Sequence, residues 1–313
     1  MKRTESTRDA YGAALVELGK ENRNVVVLDA DLSKSTRTAK FKEIFPERFF
    51  NAGIAEQNLM GMAAGLATTG KIPFVSTFAV FAAGRAFEQI RNTICYPELS
   101  VKIAATHAGI TVGEDGASHQ SIEDISLMRS LPNMKVVVPC DAVETMKAVK
   151  AAAEIDGPVY IRLGRPKVKV IHEEDYEFQL GKGEVLREGK DITIIATGIM
   201  VSRALEAAEI LAQKGRDAEV INISTIKPID WQLIVASATK TGAVVTAEEH
   251  TVIGGLGSAV SETLVQANPV PVRKIGIKDR FGQSGSPEEL LEEYELTLEA
   301  VIKEVMRLIK NSH

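Results

Sequence analysis

Short β-branched runs alternate with helix-period segments along the whole chain, which is the rhythm of parallel α/β units. The first apolar stripe is helical. Tyr11, Ala14, Leu15 and Leu18 fall at i, i+3, i+4 and i+7, behind Ser6 or Thr7 as N-cap. The all-apolar run Val25-Val26-Val27-Leu28 follows as a strand. The same pattern predicts strands at Ile72–Val75, Val101–Ala105, Val136–Val138 and Val159–Arg162, with helices near 57–69, 83–95, 121–130 and 142–154. These make a five-strand α/β unit.

Periodicity fails between about 164 and 183, where Gly164-Arg165-Pro166, Glu173-Glu174-Asp175 and Gly181-Lys182-Gly183 follow one another. A second alternating series then runs through Ile192–Ala196, a helix from Val201 to Gln213, Ala218–Ile223, Val244–Thr246, a helix after Gly257, Val272–Ile277 and a terminal helix ending near Ile309. The predicted fold class is α/β, with two doubly wound, mainly parallel α/β domains at 1–170 and 184–313 and a linker at 171–183. A length of 313 residues suits two cores at roughly 150 residues each. No internal repeat or low-complexity tract interrupts the series.

Charge narrows the partners. Lys+Arg 37 against Asp+Glu 42 gives a net charge of -5, so no basic excess points to nucleic acid or to an acidic membrane surface. Cys95 and Cys140 stand far apart without metal-ligand spacing and read as small buried hydrophobes in a reducing compartment. The N-terminus, Met1-Lys2-Arg3-Thr4-Glu5-Ser6, is polar with no apolar stretch behind it, and no run approaches a membrane span. A cytoplasmic protein is expected.

In doubly wound domains ligands sit at the carboxyl ends of strands, so the segments just after strands carry the candidate chemistry. Asp29-Ala30-Asp31-Leu32-Ser33-Lys34-Ser35 follows an apolar strand, where a solvated loop is the plain alternative. Glu56, in Gly53-Ile54-Ala55-Glu56-Gln57-Asn58, stands near a helix N-terminus, where a carboxylate is electrostatically favoured whatever its function. Phe78 and Phe81 stand three apart among small residues and fit core packing as well as a binding wall. The richest segment is 106–120, which holds His107, His119, Glu114, Asp115 and three glycines, without recognisable metal-ligand spacing. Gly255 and Gly257 open a helix, but Val260 stands where a dinucleotide loop needs its third glycine. Glu248-Glu249-His250 reads as a solvated loop or an interdomain contact.

Read in order, Ile54-Ala55-Glu56-Gln57-Asn58, Thr77-Phe78 with Phe81, Gly113-Glu114-Asp115-Gly116 and Asp279-Arg280-Phe281-Gly282 make the chain resemble the last two domains of transketolase, over essentially its whole length. The resemblance implies a pyrimidine-binding domain for thiamine diphosphate followed by a transketolase C-terminal domain. Glu56 then matches the glutamate that bonds N1′ of the cofactor's aminopyrimidine. A carboxylic acid sharing its proton there lets the 4′-amine become an imine and deprotonate the thiazolium carbon. Phe78 and Phe81 match aromatics around the pyrimidine, and Asp31 a residue close to the thiazolium. Asp115 matches the carboxylate that reads a hydroxyl beside the reacting carbonyl, and His119 a polar group near the donor's oxygen. Arg8, Ser35, His107 and Arg165 fall where the family anchors the sugar phosphate, a task suited to the planar arginine fork.

The chain departs from the family pattern at Gly84 and Ala108, where some members carry an aromatic and an acidic residue. The family's Gly-Asp-Gly motif, which with a later Asn holds diphosphate and Mg²⁺, is absent from the 313 residues. The resemblance therefore implies the C-terminal subunit of a split transketolase, working with an N-terminal subunit that holds diphosphate and Mg²⁺, in an α2β2 assembly acting on sugar phosphates. The β subunit of a 2-oxo acid dehydrogenase shares domains and length, but its substrates carry no phosphate. A deoxyxylulose-phosphate synthase fragment is the other enzymatic alternative, and retention of Glu56 with the 106–120 loop argues against a non-catalytic relative.

Overall fold

A computed structural model describes residues 3–311; Met1 and Lys2, which open the polar N-terminus, lie outside the described residues. In the first half of the chain the strands are β1 (Thr4–Ser6), β2 (Val25–Asp29), β3 (Phe49–Asn51), β4 (Ile72–Phe78), β5 (Lys102–Thr106), β6 (Lys135–Val137), β7 (Val159–Arg162) and β8 (Lys167–Lys169). In the second half they are β9 (Glu184–Arg187), β10 (Ile192–Ala196), β11 (Ala218–Asn222), β12 (Thr225–Lys227), β13 (Val244–Thr251) and β14 (Val272–Ile277). The main sheets run β12-β6-β7-β5-β4-β2-β3 and β14-β13-β10-β11-β9. Both are parallel except at one edge, where β12 meets β6 and β9 meets β11 in the antiparallel sense. The predicted α/β class is observed: continuous apolar runs such as β2 are buried throughout because helices cover both faces of a parallel sheet.

The first sheet has seven strands, not the five expected. β3 and β12 are three-residue edges, too short to show a pattern, and β12 is contributed by the second half of the chain. The aperiodic segment after 164 also holds β8, which pairs with β1 beside the first helix. That helix, Thr7–Glu21, is capped by Ser6, whose hydroxyl accepts the Asp9 amide at 3.2 Å, and it buries Tyr11, Ala14, Leu15 and Leu18 as predicted. The helix Ala142–Glu154 packs against it under a matching cap, Asp141, which accepts the Glu144 amide at 2.8 Å.

The helix predicted near 83–95 is not continuous. Residues Phe81–Arg85 and Ile90–Cys95 form wide π-type turns around the short α-turn Phe87–Gln89. Each wide turn takes in an extra residue without disturbing the apolar spacing enough to announce itself. One apolar cluster holds Ile90, Ile103 and Val136 together with Ile195, Ile221 and Leu256, so the halves share core. Both cysteines are buried and free, and no helix among the described residues is long and apolar enough to cross a membrane.

Candidate active site

The carboxyl ends of β2, β4 and β5 deliver Asp29, Phe78 and Thr106 to one end of the first sheet, and the helix Glu56–Thr68 starts with Glu56. Glu56 is 2% exposed, and its Oε2 accepts from Arg85 Nη1 at 2.9 Å. The Arg85 guanidinium lies 4.9 Å from the Phe81 ring centroid, a cation–π contact. Phe81 stacks with Phe78 (centroids 5.9 Å apart, 12° between planes), and Phe78 stacks in turn on His107 at 3.9 Å. His119 sets its ring edge-on to both phenylalanines, at 5.5 Å and 6.3 Å. Phe78, Phe81, His107 and His119 thus form one contiguous wall, to which Arg85 joins Glu56.

His107 joins this wall to a group of cations. Arg8 Nη1 lies 3.2 Å from His107 Nε2 and donates to the Ser35 carbonyl at 3.0 Å. Arginine can only donate, so Nε2 accepts, and the proton sits on Nδ1, 2.9 Å from the Thr106 hydroxyl oxygen. Burial, reinforced by Arg8, Arg165, Arg37 and His119, pushes the imidazole down to about 3, so the ring is neutral at physiological pH. Arg165 donates to the Val112 carbonyl and lies 3.6 Å from Glu114 and 3.7 Å from Asp115. Expected as separate substrate contacts, Asp115 and Arg165 therefore face each other.

Two predicted residues take different positions. Ser35 reaches Arg8 through its carbonyl, not its hydroxyl. Asp31, exposed and at φ 63°, accepts from Asn51 Nδ2 at 2.9 Å and is tied to none of the other candidates. The buried carboxylate of that loop is Asp29, which accepts from the Leu32 amide at 2.6 Å and from the Thr36 and Thr38 hydroxyls at 2.7 and 2.9 Å. Arg37 and Arg85 lie just outside the segments that the sequence pattern marks. Arg37 precedes no motif, and Arg85 adjoins Gly84, where a Cβ would meet nothing within 4 Å and the wall is open.

The loop 106–120 is held from the second sheet. Glu249 Oε1 accepts the Thr111 amide at 2.7 Å, while Arg162 donates to the Glu249 carbonyl at 3.0 Å and to Asp124 at 2.8 Å. Glu248-Glu249-His250 is accordingly buried interdomain structure, not a solvated loop. Glu248 accepts the Leu256 and Gly257 amides at 2.7 and 2.8 Å, so an internal carboxylate already occupies the helix N-terminus that the glycines suggested for phosphate. Burial pushes Glu248 up to about 7. Among the described residues, the Cys/His/acid ligand atoms close enough to share an ion are those of Cys140, Asp141 and His172. Asp141 there already accepts the amides of Ile171 and His172 and pairs with the His172 ring.

The description "Transketolase, pyrimidine binding domain" fits residues 3–170, and "Transketolase, C-terminal domain" fits residues 181–301. The chain belongs to the transketolase family. It is 54% identical to a putative transketolase C-terminal section of Methanocaldococcus jannaschii, across 97% of this chain and 96% of that protein. It is 46% identical to a 6-deoxy-6-sulfo-D-fructose transketolase subunit of a Clostridium species, across 95% and 92%. A solved structure described as a split gene transketolase, inactive β4 tetramer, superposes with TM-score 0.90 at 61% identity, covering 97% of this chain and 98% of that one. For a transketolase the wall is chemically apt: a flat pyrimidine suits paired aromatics, and a buried carboxylate suits a ring nitrogen.

Proposed function

We propose that this chain is the C-terminal subunit of a two-subunit transketolase that moves a two-carbon ketol unit between sugar phosphates. The observation that carries this reading is the buried Glu56 carboxylate joined by Arg85 to the stacked Phe81 and Phe78, which continue through His107 to the arginine group. The two-subunit reading is supported by relatives that are themselves described as a section, a subunit and a split-gene product. No Gly-Asp-Gly stands among the 313 residues, and in this reading the N-terminal partner holds diphosphate and Mg²⁺. The assembly is α2β2 and cytoplasmic.

When bound, thiamine diphosphate supplies a thiazolium carbon that acts as nucleophile and electron sink. Glu56 would meet the aminopyrimidine nitrogen and exchange a proton with it, Phe78 and Phe81 would hold the ring, and Asp31 would face the thiazolium only by the family correspondence, since its contact in this fold is with Asn51. His119, at the mouth of the wall, polarises the donor oxygen, and Asp115 reads the neighbouring hydroxyl. His107 is neutral and bonded to Arg8, so it orients rather than neutralises the phosphate end. Arg8, Arg165 and the Ser35 segment supply the positive charge and donors there. The arginines suit the phosphate end of a phosphorylated ketose.

Replacing Glu56 by Gln keeps shape but removes the exchangeable carboxylic proton. In the assembled complex with thiamine diphosphate, proton–deuterium exchange at the thiazolium C2 is expected to collapse in Glu56→Gln with assembly intact. An unchanged exchange rate would reduce Glu56 to a helix-terminus carboxylate.

A further inference from the structure

We propose that Arg85 is a positioning residue for the cofactor: its guanidinium holds Glu56 by Oε2 and leaves Oε1 for the aminopyrimidine. This rests on the reading of Glu56 given above. A carboxylate as buried as Glu56 is costly to keep without a partner, and among the described residues Arg85 is the one that hydrogen-bonds it, at 2.9 Å. Arg85 itself is 52% exposed, so one end of the pair is dry and the other meets solvent. A wholly exposed pair would be screened and dispensable, but this one sets the orientation of an almost fully buried carboxylate.

A second contact fixes the guanidinium. It lies over the Phe81 ring, so Arg85 touches both the carboxylate and the aromatic wall proposed for the pyrimidine. The backbone explains why the side chain points there. Phe81–Arg85 is a wide turn, closed by the Ala86 amide on the Phe81 carbonyl at 3.3 Å, and such turns re-aim side chains at functional sites. Gly84 leaves the neighbouring volume empty, so no side chain at 84 crowds the Arg85 fork.

The test compares two cofactors in the complex assembled with the N-terminal subunit: thiamine diphosphate, and its analogue with carbon in place of N1′. Affinities are measured by calorimetry for wild type, Arg85→Met, Arg85→Lys and Glu56→Gln. If Arg85 acts through Glu56 on N1′, Arg85→Met weakens thiamine diphosphate by about tenfold and leaves the analogue within about twofold, as loss of one charge-supported hydrogen bond predicts. Arg85→Lys, which keeps the charge, restores most of the difference. Equal weakening for both cofactors, or no weakening for either, overturns the proposal and leaves Arg85 a structural or surface residue. Glu56→Gln separates the two levels. If it discriminates between the cofactors while Arg85→Met does not, only the role of Arg85 fails. If Glu56→Gln does not discriminate, the reading of Glu56 falls and the proposal falls with it.

Discussion

His107 lies between an aromatic face and three arginines, and its titration follows from that position. The folded chain refuses a proton that the unfolded chain binds between about 6.5 and about 3, so this residue's contribution to stability is complete above 6.5 and is lost on acidification. One such group gives a slope of about 1.4 kcal/mol per pH unit. Denaturant unfolding from pH 6.5 to 4 is expected to show a shallower acid loss in His107→Asn than in wild type, and parallel slopes would contradict the neutral assignment. Arg8 and Arg165 are 157 positions apart, yet both act on His107. Truncating either to Ala is expected to weaken use of a phosphorylated ketose by about 10- to 150-fold, chiefly through KM, and to leave an unphosphorylated ketose nearly unaffected. Equal losses for both substrates, measured as kcat/KM in the assembled complex, would assign the arginines to the fold. Glu56, Phe78 and Phe81 were legible because each sits in a local motif. Arg85 and Arg37 were not, because only the folded chain brings them to their partners.

At the scale of elements, the central strands were legible because burial on both faces demands unbroken apolar runs, as in Val25–Leu28. The edges β3 and β12 and the wide turns of 81–95 left no periodic trace. The loop 106–120 stands out in the sequence by its composition, but its support does not, because Glu249 lies 138 positions from Thr111. Gly109 shows how close that support is: it has φ 81°, and an added Cβ would overlap the Glu249 carboxylate. Gly109→Ala is therefore expected to cost about 1–3 kcal/mol, read as a lower Tm, and to raise KM for the ketose as the loop shifts. A variant with unchanged Tm and KM would mean that the loop is not seated on Glu249.

For the whole molecule, both sheets contribute to one site. Arg162 of β7 binds Asp124 and the Glu249 carbonyl, and Glu249 of β13 holds the loop that carries Asp115 and His119. In the proposed two-subunit enzyme this wall takes the pyrimidine and the sugar phosphate, and the N-terminal partner takes the diphosphate and Mg²⁺. Ketol transfer from a phosphorylated ketose with thiamine diphosphate and Mg²⁺, assayed for the purified chain alone and after mixing with a subunit that carries Gly-Asp-Gly, decides whether this chain needs a partner. No turnover is expected from the chain alone and activity on mixing; robust ketol transfer by the isolated chain would rule out the two-subunit enzyme.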